Sequence, residues 1–258
     1  EATSVSPNPS CGFYAGGDVW HTCVMPASGK LRIERTNGTA NAQITLYQGT
    51  CGSMTELMCM QLDGDRTYYN PSLAGQTLYI RVYNFNNEDG GTYDICVWEP
   101  PMPSHNFCAN AAPLTVGASC SMSSFSNAYA TAEATSVSPN PSCGFYAGGD
   151  VWHTFVMPAS GKLRIERTNG TANAQIAVYQ GTYGSMSEVW CMQLDADRTY
   201  FNPSLAGQTL YLRVYNYNNE EGGTYSICLW EPTMPAHDLC ANAIPLTVGS
   251  TCSMSSFT

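Results

Sequence analysis

Thr209-Leu210-Tyr211-Leu212-Arg213-Val214-Tyr215 alternates with period two, Leu210, Leu212 and Val214 on one face and Tyr211, Arg213 and Tyr215 on the other. That is the pattern of a strand rather than a helix. Outward from it, Thr224-Tyr225-Ser226-Ile227-Cys228-Leu229-Trp230 reads as the next strand, after a polar loop from Asn216 to Gly223. Upstream, Gly149 to Met157, Lys162 to Arg167 and Gln175 to Tyr179 are strand-like, separated by Pro158-Ala159-Ser160-Gly161 and the turn signal Asn169-Gly170. No stretch sustains a helical period. Short strands spaced by Gly, Pro and Asn turns predict an all-β fold built of antiparallel β-sandwiches.

The same text occurs nearly twice. Glu1 to Cys11 returns as Glu133 to Cys143, and at this offset of 132 about 104 of 126 aligned positions are identical without a gap. A long regular period marks a modular array. Glu231-Pro232-Thr233-Met234-Pro235 and its counterpart Glu99-Pro100-Pro101-Met102-Pro103 cannot continue a sheet and mark semi-rigid module boundaries.

Composition narrows the setting. Only 12% of residues are charged, and the net charge is −10 with a sequence pI near 4.6. Phosphate binding needs clustered Lys and Arg, so nucleic acid is excluded as a partner. No apolar run approaches the roughly 18 residues of a membrane span, and no signal peptide is read, as in a mature or excised chain. Twelve cysteines without a CxxC or zinc-like Cys/His array point to disulfides in an oxidising compartment.

Between the copies, only two cysteines are lost: Cys23 and Cys51 become Phe155 and Tyr183. Their joint loss predicts a Cys23–Cys51 disulfide, closing a loop of about 27 residues worth roughly 3 kcal/mol, with Phe155 packed on Tyr183 in the second copy. Cys51–Cys59 is the rival pairing. The cysteines at 11, 59, 96, 108 and 120 all recur, an odd number per repeat, so at least one stays free or bonds across modules.

Several motifs together carry a family resemblance. Asp18-Val19-Trp20-His21-Thr22, Pro26 to Ile33, Leu46 to Met54, Leu78-Tyr79-Ile80-Arg81-Val82 and Gly91-Thr92-Tyr93 resemble the CUB-like or pre-peptidase C-terminal-like jelly-roll module of secreted Bacteroidota-type surface proteins. Phe107 to Val116 is similar to that module's opening strand. The resemblance implies an extracellular location and a role in adhesion, substrate binding or display. It also implies three segments. Residues 1–100 are a body lacking its opening strand, 101–231 a complete module, and 232–258 a Pro-rich joint plus an opening strand for a following module.

Candidate sites are few. The four histidines (His21, His153, His105, His237) lie in apolar strands or the proline joint, and no Gly-x-Ser-x-Gly or His-Glu-x-x-His occurs, so no enzyme is expected and no cofactor is required. Asp63-Gly64-Asp65 and its counterpart Asp195-Ala196-Asp197, with Asp18 and Asp150, are the candidate oxygen ligands for calcium. The competing role for such acids is capping turn NH groups. Asn37-Gly38-Thr39 and Asn169-Gly170-Thr171 are candidate N-glycosylation sequons. Trp20, Trp152, Trp98, Trp230 and Trp190 serve either core packing or a sugar-stacking platform.

The expected function is a structural subunit of an extracellular filament or adhesin stalk, its partners copies of itself joined head to tail. The alternative is a carbohydrate-binding module pair of a secreted hydrolase. A body without its opening strand exposes an edge and an open apolar core. The tail 236–258 is expected to complete the 1–100 body of the next subunit, or a continuous repeat array to give the same geometry. With Cys120 paired to Cys143 inside the complete module, Cys252 would bond Cys11 of the neighbour.

Overall fold

The computed structural model describes residues 7–14, 16–61, 65–87, 90–146, 148–193, 197–217, 222–235, 237 and 240–256. The chain divides into two compact units, Glu1–Pro101 and Met102–Thr258. The fold is all-β, with 3-10 turns as the only helical elements among the described residues.

The first unit holds β1 (Asp18–Val24), β2 (Lys30–Asn37), β3 (Ala42–Thr50), β4 (Ser53–Met60), β5 (Asp65–Tyr69), β6 (Thr77–Asn84) and β7 (Tyr93–Trp98). They form two antiparallel sheets, ordered β1-β6-β3-β4 and β5-β2-β7. The second unit repeats these as β11 (Val151–Val156), β12 (Lys162–Asn169), β13 (Ala174–Thr182), β14 (Ser185–Met192), β15 (Asp197–Phe201), β16 (Thr209–Asn216) and β17 (Thr224–Trp230). It adds β8 (Ala112–Pro113), β9 (Val116–Gly117) and β10 (Ser123–Ser126). Its sheets run β14-β13-β16-β11-β8 and β10-β17-β12-β15, with β9 also on β17. β10 joins β17 antiparallel, whereas β8 on β11 and β9 on β17 are short parallel pairings.

Period-two patterning produces the core. Leu210, Leu212 and Val214 of β16 interleave with Ile176 and Val178 of β13, and across the sandwich with Leu163, Ile165, Ile227 and Leu229. In the first unit Ile33, Ile44, Leu46, Leu78, Ile80 and Val82 do the same. Gly161 turns the chain into β12 at φ +70°, where an added Cβ would lie 2.5 Å from the Pro203 Cα. Only glycine fits that turn.

The polar face of β16 is also covered. Tyr215 packs with Trp152, Tyr179 and Ala177, and Val137 and Tyr146 of the 133–150 segment close over them. Sequence alternation alone would have left this face in water.

Candidate functional site

The two units share their bodies and differ at one edge. In the second unit, residues 105–127 cover β11 and β17. The amide of Trp152 donates to the His105 carbonyl at 2.8 Å, Leu114 N to Thr154 O at 2.7 Å, and Glu231 N to Gly117 O at 2.9 Å. Val151, Trp152 and His153 are fully buried. The His153 ring lies 4.5 Å from Phe125 and 5.0 Å from His105, and its Nε2 shares a 2.8 Å hydrogen bond with the Tyr225 hydroxyl. Burial pushes the His153 imidazole down to about 3, reinforced by neighbouring His105. Asn127 ties the end of the segment down: its Oδ1 accepts from Gly223 N at 2.9 Å and its amide donates to Asn216 Oδ1 at 3.1 Å. Cys120 is bonded to Cys228.

The first unit has no counterpart of β8, β9 and β10 among the described residues. β1 pairs with β6 alone and β7 with β2 alone. Val19 is 50% exposed and Trp20 38%, where Val151 and Trp152 are at 0%. His21 is exposed but keeps its 2.8 Å bond to Tyr93. The expected open core is corrected here. The apolar residues between the sheets, Ile33, Ile44 and Leu46 among them, are fully buried, because the seven strands already close over them. What lies open is the β1 and β7 edges and the apolar side chains flanking them.

The far end of the chain presents matching groups. Ile244, Leu246, Val248 and Met254 are 41%, 70%, 96% and 92% exposed, and residues 240–256 form no strand, only a 3-10 turn at Cys240–Asn242.

The candidate calcium ligands are placed differently from expectation. Asp150 is fully buried and pairs with Arg213, Nε to Oδ2 at 2.9 Å. It also accepts from the Tyr146 hydroxyl at 2.7 Å and from Trp152 Nε1 at 3.0 Å. The Arg213 guanidinium stacks 4.4 Å from the Tyr146 ring and 5.0 Å from Trp152, and donates to the Pro139 carbonyl at 3.1 Å. This network pins the 133–150 segment to the sheet. Asp18 pairs with Arg81 at 2.6 Å in the same way. Asp65 and Asp197 bond Arg32 and Arg164. Each of these four acids has an arginine where a cation would sit; Asp63 and Asp195 lie outside the described residues. The one metal-like grouping among the described residues, Cys120, Glu166 and Cys228, loses both thiols to the disulfide.

Cysteine pairing also corrects the sequence reading. The bonds are Cys11–Cys59, Cys143–Cys191 and Cys120–Cys228. Cys23 and Cys51 are free. Cys23 on β1 packs against the core, whereas Cys51 sits exposed in the turn between β3 and β4. Their replacements part likewise: Phe155 is 2% exposed in the core and Tyr183 56% exposed in the turn. The pairs Cys120–Cys143 and Cys252–Cys11 are excluded because Cys143 and Cys11 each close a bond across their own unit, with 48 residues of separation. Such a loop is worth about 4 kcal/mol in loop-closure entropy. Replacing Cys143 and Cys191 together by serine is therefore expected to lower the second unit's stability by up to about that amount, measured by denaturant unfolding. Cys108 is a buried free thiol, pushed up to about 12 by burial and by Glu133.

The remaining candidates are structural in placement. Asn37 and Asn169 are exposed at strand ends, their Oδ1 atoms accepting from Ala42 N and Ala174 N. Trp190 stacks on Tyr200 at 4.6 Å, and Trp230 donates to Glu166 at 3.1 Å. His105 is buried, while His237 is exposed and contacts the Asn242 carbonyl at 3.1 Å.

Residues 3–95 and 104–228 each match the T9SS-associated family described as galactose binding domain-like. Among solved structures, the periplasmic inhibitor of g-type lysozyme PliG from Aeromonas hydrophila is 15% identical, covering 46% of this chain and 96% of its own, with a TM-score of 0.30. The pre-peptidase C-terminal domain of a Bacillus anthracis collagenase is 13% identical, covering 46% and 93%, at 0.28. The CUB1-EGF-CUB2 segment of human MASP-1/3 is 8% identical, covering 89% and 97%, at 0.24. No curated protein matches the chain. The family association and the three disulfides point to a secreted or surface protein.

Proposed function

The chain belongs to the T9SS-associated galactose binding domain-like family, and from that premise we propose that it is a structural subunit of an extracellular filament or adhesin stalk. Modules join head to tail, either when the tail 236–258 of one copy adds strands to the open edges of the first unit of the next, or as a continuous repeat array with the same geometry. One observation carries this reading. β1 and β7 lack the cover that residues 105–127 give β11 and β17, and the equivalent of that cover lies exposed at residues 240–256. Strand addition satisfies edge amides and carbonyls and buries flanking apolar groups in a single step. Because the joint uses different surfaces on the two partners, each copy leaves one end free for the next, and the assembly propagates as a filament wherever the rotation per step does not close a ring.

The carbohydrate-binding alternative calls for an exposed aromatic row in each unit. Trp152 is buried, Trp190 is stacked on Tyr200, and Trp20 is exposed on the uncovered β1 rather than in a row repeated in both units, which favours the structural reading. The test compares the full chain with one ending at residue 235, by sedimentation and negative-stain electron microscopy. Concentration-dependent linear oligomers from the full chain, lost on truncation, are expected. A discrete monomer at every concentration, or equal assembly by the truncated chain, would overturn strand addition between separate copies.

A further inference from the structure

We propose that the head-to-tail joint is locked covalently by a disulfide between Cys252 of one copy and Cys96 of the next. This inference rests on the head-to-tail reading above and deepens it.

The second unit contains the finished form of the joint. Cys120, in the covering segment, is bonded to Cys228 on β17. Displaced by one period of 132, Cys228 becomes Cys96 on β7 and Cys120 becomes Cys252 in the tail. Both are free and exposed. Residues 236–258 differ from 104–126 at only seven of 23 positions, so the segment that seats Cys120 on Cys228 is present almost unchanged around Cys252.

The surface beside Cys96 leaves room for it. A hollow of about 380 Å³ opens beside Cys96, bounded by Glu34, Asp94 and Ile95. In the second unit the same place is filled. The Cys120 and Cys228 sulfurs and a carboxylate oxygen of Glu166, the counterpart of Glu34, lie within 4.8 Å of one another. Next to it the Ser124 and Ser226 hydroxyls are 2.9 Å apart. In the first unit Ser226 is replaced by Asp94, and the tail keeps Ser256 at the position of Ser124. A serine hydroxyl donating to a carboxylate is a stronger bond than one between two hydroxyls.

The chemistry balances as a two-electron oxidation. The Cys96 and Cys252 S–H bonds break, one S–S bond forms, and two protons and two electrons pass to an oxidised disulfide of glutathione or oxidase type, which leaves as two thiols. An oxidising compartment supplies that acceptor, as it must for the three bonds already present. Of the other free cysteines, Cys23 packs against the core of the first unit, Cys51 lies in the β3–β4 turn, Cys108 is buried, and its counterpart Cys240 is exposed in the tail. None of them has a counterpart in a bonded pair of the other unit.

The full chain is allowed to assemble with oxidised glutathione, then run on denaturing gels without reductant and mapped by mass spectrometry of its peptides. A ladder of covalent oligomers carrying the Cys96–Cys252 link is expected. Cys96→Ser and Cys252→Ser should each reduce the ladder at least tenfold while sedimentation still detects non-covalent oligomers. A ladder that survives Cys252→Ser, or links mapped to Cys51 or Cys240 instead, overturns the lock and leaves head-to-tail assembly standing. A Cys96–Cys252 link confined to the monomer band overturns both, since the tail then serves its own chain. Absence of any oligomer also overturns both.

Discussion

Replacing Arg213 with leucine is expected to destabilise the second unit by about 3–5 kcal/mol, the usual penalty for leaving a buried charge without its partner. Arg213 and Asp150 are both fully buried, and removing the guanidinium strands a carboxylate that water cannot reach. The change also removes the stacking on Tyr146 and Trp152 and the bond to the Pro139 carbonyl, so the 133–150 segment should loosen first. Denaturant unfolding measures the loss, and proteolysis within 133–150 reports where it begins. Replacing Asp150 and Arg213 together by apolar residues should recover part of the stability, because no lone charge remains. A single variant as stable as the parent would show that the pair does not hold the segment.

Acid is expected to weaken the second unit through His153. Its folded value is depressed to about 3, while an unfolded histidine titrates near 6.5. Below the unfolded value the unfolded chain binds a proton that the folded chain refuses. Stability is therefore whole above about pH 6.5 and falls as the pH drops toward 3, by a few kcal/mol at the bottom of that window. The groups facing the ring are His105, itself lowered by burial, the Tyr225 hydroxyl and Phe125. His153→Gln should flatten the acid limb of the stability curve measured between pH 7 and 4. An unchanged slope would contradict the buried neutral imidazole.

Much of the sandwich was legible in the sequence because half-buried strands alternate. β12 and β16 fall on period-two runs, and β11, β13 and β17 on strand-like runs bounded by Gly, Pro or Asn. β14 and β15 lacked that contrast: Ser185–Met192 mixes Glu188 and Trp190 with small polar residues. β8 and β9 are two residues each, too short for any periodicity, and are strands only because β11 and β17 offer them an edge. The disulfides were misread for a physical reason. Paired loss of Cys23 and Cys51 looked like one event, yet one position faces the core and the other a solvent-exposed turn, so each accepted an aromatic on its own terms. The acids at 18 and 150 resembled cation ligands because their arginine partners lie 63 residues away in sequence, a separation that no local pattern reveals. The uncovered edge was visible from the repeat, whereas the pairing of Cys120 with Cys228 was not.

Amide hydrogen exchange at that edge is the most direct measurement of the assembly. The backbone amides of Trp20 and Glu99 correspond to those of Trp152 and Glu231, which donate to His105 and Gly117 in the covered unit. In the assembled full chain, Trp20 and Glu99 should exchange at least tenfold more slowly than in the chain ending at residue 235, approaching the protection of Trp152 and Glu231. Equal exchange at these amides with and without the tail, at concentrations where the full chain is oligomeric, would contradict strand addition as the joint.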